Sequence, residues 1–168
     1  MSIAQTLLPE FDHEMAITRK LLERIQDDQL DWRPHEKSMA LGYLSSHLAE
    51  LAGWGAVTLA QDTLDIAPPG GEPYRPSTLS SRQEILERFD QNAKETRGLL
   101  EQAEDAKFFE TWTFLIGGQV IFQLPRAAVL RTWLMNHIIH HRGQLSVYLR
   151  LTGQPVPSIY GPSADEQS

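Results

Sequence analysis

The sequence predicts an all-α fold, a four-helix bundle carrying one short β-hairpin. Three observations lead there. Four stretches repeat apolar residues at three- and four-residue spacing. Segments rich in Pro and Gly separate them. Only residues 110–124 have the texture of paired strands. At 168 residues, 41% of them hydrophobic, the chain supports one domain over residues 1–168, with a tail from about residue 153.

The first helix runs from about Ala4 to Gln26, where Leu8, Phe11, Met15, Leu22 and Ile25 recur at helical spacing. Trp32-Arg33-Pro34 then interrupts it. The second runs from about Ser38, a candidate N-cap, to Leu64. Asp65 to Ser77 follows as a loop with Pro68-Pro69-Gly70-Gly71 and Pro73. A loop this long permits a crossover, so simple up-down-up-down order is not required. The third helix starts near Ser80 or Ser81, where Ser81-Arg82-Gln83-Glu84 has capping-box form, and reaches about Glu104. Two β-prone runs, 110–116 and 119–124, flank Gly117-Gly118, a hairpin signal. Pro125 suits the first turn of a fourth helix that runs from about Arg126 to Thr152 and stops at Gly153. The tail from Pro155 to Asp165 is expected to lie against the bundle. Its prolines reduce the entropy lost on docking, and Ile159 and Tyr160 supply an anchor. Docked there, Tyr160 would line a substrate entrance and Asp165 would orient a histidine or a basic residue.

A net charge of −7 disfavours nucleic acid and anionic membrane surfaces as partners. No apolar run approaches the roughly 18–20 residues of a membrane-spanning helix. The N-terminal residues lack signal-peptide form, so a cytoplasmic location is expected. There are no cysteines, which excludes disulfides, thiolate ligands and a cysteine nucleophile. Any thiol in a reaction must therefore come from a small molecule. Apolar residues outside the main stripes, such as Ile17, Ile139 and Val147, lead us to expect a homodimer.

The histidines carry the chemistry. His137 and His141 stand at i and i+4, which stacks two imidazoles on one helix face. His141 falls within the stripe of Leu130, Leu134, Ile138, Leu145, Tyr148 and Leu149, and His137 at its edge. His140 is displaced to the flank, although an i, i+3 pair with His137 is geometrically open. His47 shares the helix face of Leu44, Leu51 and Trp54. Inward imidazoles need partners, and one shared metal would satisfy all three. The residue after His137 is Ile138 rather than glutamate, which argues against a zincin protease. Glu50, one turn from His47, is a candidate fourth ligand or general base, with a solvated carboxylate as its plainer role. Arg142 suits an inter-helix ion pair or a substrate carboxylate. His13 faces away from its helix's stripe, and His35 lies in a loop.

The string His137-Ile-Ile-His-His141-Arg142-Gly143-Gln144-Leu145, with Tyr148-Leu-Arg-Leu-Thr-Gly153 and Pro155 to Gly161 after it, resembles the DinB-like family of metal-binding four-helix bundles. Leu44-Ser-Ser-His47-Leu with Trp54 matches that family's second-helix motif. The resemblance implies one divalent metal, zinc or nickel, held by His47, His137 and His141. Glu50, His140, Arg142, Gln144 and Tyr160 are then the candidates for the surrounding shell or for substrate contact. It also implies an association with stress response and, in parts of the superfamily, thiol-dependent transfer with a low-molecular-weight thiol. Three histidines leave a coordination position open, as in catalytic rather than structural zinc sites. The function expected is therefore metal-dependent thiol S-transfer or hydrolysis on an unknown small molecule. The rival is a non-catalytic, metal-stabilised dimerisation module.

Overall fold

The computed structural model describes residues 2–167. Helix α1 spans Ile3–Leu22, α2 Leu41–Ala60 and α3 Arg82–Gln102. A short α4, Asp105–Phe109, precedes strands β2 (Thr111–Ile116) and β3 (Gln119–Pro125). The last helical rod opens as α5 (Arg126–Val129), widens to a π-helical segment at Leu130–Met135, and ends as α6 (Asn136–Leu151). Strand β1 is Thr63–Asp65.

The bundle closes in an order the sequence left open. Helix α3 packs against α1 and α2, and α6 packs against α2 and α1. Consecutive α1 and α2 therefore stand across the diagonal. One apolar cluster runs through all four long helices, including Phe11, Leu22, Leu44, Leu48, Phe89, Ile138 and Leu145. Ile17 belongs to this cluster, so it is not the exposed apolar residue expected above. Gly55 sets the α2–α3 approach, since a Cβ there would lie 2.3 Å from Thr96 Cγ2. In this close contact the Thr96 hydroxyl donates to the Ala52 carbonyl (2.6 Å) and accepts from the Ala56 N–H (3.1 Å).

Several boundaries differ from expectation, each for a local reason. Helix α1 starts at a capping box in which the Ser2 hydroxyl accepts from the Gln5 N–H and the Gln5 side chain accepts from the Ser2 N–H. Helix α2 begins at Leu41 rather than Ser38. Its first N–H groups donate to the carbonyls of Trp32 and Leu30, so backbone replaces the side-chain cap. It ends at Ala60, short of Leu64, because the buried Arg126 guanidinium binds the carbonyls of Thr58 and Gln61. Thr63–Asp65 then pairs in parallel with β2. At α3 the Ser81 hydroxyl accepts from the Glu84 N–H, but the Glu84 carboxylate turns to the N–H and hydroxyl of Ser80.

The hairpin is present. β2 and β3 pair antiparallel with a bulge between Phe114 and Leu115. Gly117 and Gly118 have φ of 64° and 77°, the left-handed region that a tight two-residue turn requires. The Asp65 carboxylate accepts both glycine N–H groups, at 3.0 and 2.7 Å, and fastens the turn to the α2–α3 connection.

Candidate metal centre

Helices α2 and α6 bring His47, His137 and His141 together, with one ring nitrogen from each within 4.8 Å of the others. The Nε2 atoms of His137 and His141 are 3.0 Å apart, and those of His47 and His137 are 3.5 Å apart. Two nitrogens bound to one tetrahedral zinc at about 2.0–2.1 Å stand roughly 3.4 Å apart. Three imidazole nitrogens are a donor set suited to zinc, nickel, copper or iron. The residues therefore fit the ion that their pattern implies.

Electrostatics agree with the geometry. Burial first, and then the neighbouring imidazoles, push His137 down to about 4, against an opposing hydrogen bond to the Trp133 backbone. Burial, and then the charge of His141, lowers His47. Burial also lowers His141, opposed by its bond to Gln144. Lowered values keep the rings neutral near pH 7, the state in which imidazole binds a metal.

An aromatic wall lies against the histidines. Trp54 stacks on Trp133 with centroids 5.4 Å apart, and both meet His137 edge-on. Trp133 continues into Phe114 and Phe122 of the sheet, at 4.6 and 5.0 Å. The sheet thus buttresses the site through aromatic packing. Trp133 was not singled out from the sequence, although it stands four residues before His137 on the same rod.

The other candidates separate clearly. Gln144 belongs to the cluster, since its Oε1 accepts from His141 Nδ1 at 2.7 Å. His140 is exposed and outside the three-histidine group, and its Nε2 accepts from the Gln144 amide at 3.2 Å. The Glu50 carboxylate accepts from the Tyr74 hydroxyl (2.7 Å) and from the N–H (3.2 Å) and hydroxyl (2.9 Å) of Ser77. It holds the α2–α3 loop and stands outside the three-histidine group. Arg142 turns away from the histidines and pairs with buried Glu14 at 2.5 Å, the inter-helix option rather than the substrate option. The Tyr160 hydroxyl accepts from Arg142 (2.5 Å) and donates to Glu14 (2.9 Å), so it closes that pair instead of lining an entrance. Asp165 accepts from Arg150 (2.5 Å) and from the Val156 N–H (2.8 Å), and Pro157 is buried. The tail is therefore ordered against the bundle. His13 and His35 are exposed, as expected.

A four-helix bundle with inward imidazoles from its second and last long helices defines a class, helical bundles with a candidate metal site between helices. The chain belongs to the DinB family, whose model matches residues 1–168. It is 32% identical over 160 residues to YrdA of Bacillus subtilis (strain 168), covering 95% of this chain and 89% of that one. The fold is similar to that of a DinB-like protein from Bacillus cereus ATCC 10987, with a TM-score of 0.69 and 22% identity over 91% of this chain and 95% of that one. It is also similar to YfiT from Bacillus subtilis, with a TM-score of 0.62 and 17% identity over 92% and 91% of the two chains. YfiT is described as a probable metal-dependent hydrolase with an unusual four-helix bundle topology.

Proposed function

We propose that His47, His137 and His141 hold one divalent ion, zinc or nickel, and that this site serves a metal-dependent reaction on a small molecule. The observation that carries the reading is the convergence of three neutral ring nitrogens within 4.8 Å. A structural zinc site is normally closed by four protein ligands, and Glu50, whose charge acts on His47, is engaged with Tyr74 and Ser77. When bound, a divalent ion supplies Lewis acidity and lowers the pKa of an oxygen or sulfur ligand.

The chain's own residues define the rest. The three rings hold and orient the ion. Trp54 and Trp133 give the site an apolar side that limits water. Exposed His140 and Gln144 stand at its edge. Hydrolysis is the first reaction to test, because YfiT, alike in fold, is described in those terms. Thiol S-transfer is the second, with the thiol brought by a low-molecular-weight cosubstrate because the chain has no cysteine. A cytoplasmic setting and a role in stress response accord with that cosubstrate. Among the described residues, no helix is long and apolar enough to cross a membrane. We retain the homodimer as part of this reading, because Val147 and Leu151 on α6 are 56% and 58% exposed.

The test is a screen of ester, amide and epoxide substrates, with and without glutathione-like thiols, on metal-loaded and chelator-treated protein. Chelator-sensitive turnover that returns on adding zinc or nickel is expected. Metal binding without turnover across the screen would favour the non-catalytic module.

A further inference from the structure

We propose that Gln144 is the positioning residue of the histidine cluster, holding His141 in the tautomer whose Nε2 is free to bind a metal. This rests on reading the three histidines as ligands, and it adds a residue with a defined task.

The geometry is specific. Gln144 lies three residues beyond His141 on α6, on the exposed side of the helix. Its carbonyl Oε1 is 2.7 Å from His141 Nδ1. A carbonyl oxygen only accepts, so the imidazole proton sits on Nδ1. The Nε2 of His141 is then a bare lone pair, 3.0 Å from the Nε2 of His137. The other end of the same amide reaches His140 Nε2 at 3.2 Å. An NH2 group only donates, so His140 accepts there. Two hydrogen bonds thus pin an amide that would otherwise turn freely in solvent.

Direction matters. Reversed, the amide would present its NH2 group to His141 Nδ1 and favour the Nε2–H tautomer. That proton would occupy the ligand atom itself. Gln144 thus does for His141 what a partner on the far ring nitrogen does for metal-bound histidines generally. His140, a ligand candidate from its place in the string, acts instead through Gln144 as a second anchor.

The test uses the full chain in two states. In the metal-free protein, long-range 1H–15N NMR reads the tautomer of His141. We expect Nδ1–H in the wild type and a shift toward Nε2–H in Gln144→Leu. Competition with a chelator for zinc then measures affinity. Gln144→Leu should weaken binding by about 10- to 100-fold. Gln144→Glu keeps an acceptor for Nδ1–H and should recover most of the loss, a rescue that a purely structural role would not give. His140→Ala should cause a smaller loss of the same sign. An Nε2–H tautomer in the wild type, wild-type affinity in Gln144→Leu, or no rescue by Gln144→Glu would overturn the assignment. If zinc fails to bind even the wild type, the metal reading fails, and the tautomer spectrum still decides the role of Gln144.

Discussion

His141 and Arg142 are neighbours in the chain, both buried, and they belong to two polar clusters of opposite kind. Arg142 enters a closed network. Its guanidinium meets the Glu14 carboxylate and the Tyr160 hydroxyl, and the Tyr160 ring lies 5.1 Å from its centre. Thr18 adds a hydroxyl that donates to the Glu14 carbonyl (2.7 Å). Donors and acceptors match, and nothing from outside is required. His141 enters an open cluster in which three ring nitrogens point at one another and an external electrophile would complete the set. A satisfied buried cluster joins structure, here α1, α6 and the tail. An inward cluster that needs a further partner marks a place for a ligand.

That contrast can be tested by breaking each side. Replacing His137 by Ala should remove stoichiometric metal. The melting of the metal-free protein should change little, because a desolvated ring that lacks its ion adds little to the fold. A large loss of stability in the metal-free state would make the histidines structural.

Replacing Arg142 by Met should do the reverse. Removing one partner leaves Glu14 buried without its counter-charge, a change that costs about 3–5 kcal/mol. Denaturant unfolding should show that loss, while metal content per folded chain stays at the wild-type level. A drop in metal content at full stability would return Arg142 to the metal site.

Tyr160→Phe should give a smaller loss, about 1–2 kcal/mol, by deleting hydrogen bonds to charged groups and loosening the tail. Limited proteolysis after Thr152 should quicken, and unchanged digestion would show the tail to be held by Arg150, Asp165 and Glu166 alone.

The pH response should divide the clusters as well. His137 is held near 4 in the fold, below its ordinary value of 6.5, by burial and its neighbours. Between those values the unfolded chain binds more protons than the folded one. The contribution of His137 to the stability of the metal-free protein is therefore complete above about pH 6.5 and declines as pH falls toward 4. Tyr160 is raised above its ordinary 10, first by burial and then by its bond to Glu14. Its contribution is complete below pH 10 and declines as pH rises past that value. Melting temperature against pH should show an acid limb that shrinks in His137→Ala, with His47 and His141 supplying the rest, and an alkaline limb that shrinks in Tyr160→Phe.

The histidine cluster was legible because its signal is local. An i, i+4 pair and one inward His47 need only helix periodicity. The role of Arg142 was open because Glu14 is 128 residues away. A trace existed, since Glu14 falls among Phe11, Met15 and Thr18 on a face that is otherwise largely apolar. A carboxylate there needs a buried cation. The π-helical turn also left a trace. Leu130, Leu134 and Ile138 recur at intervals of four, wider than the 3.6 of an α-helix. Strand β1 left none, because its pairing is with residues 113–115 and depends on tertiary contact alone. Its residues followed a strong helical stripe, and Arg126, 65 residues beyond Gln61, ends that stripe. The partners of Glu50 were not legible, because Tyr74 and Ser77 come from a loop without periodicity.

The most direct test of the open cluster is calorimetric titration of the metal-stripped protein with zinc, alongside His141→Ala and His140→Ala. One ion per wild-type chain is expected, with binding abolished in His141→Ala and one ion per chain retained in His140→Ala. No saturable binding by the wild type, or binding lost in His140→Ala and kept in His141→Ala, would contradict the assignment.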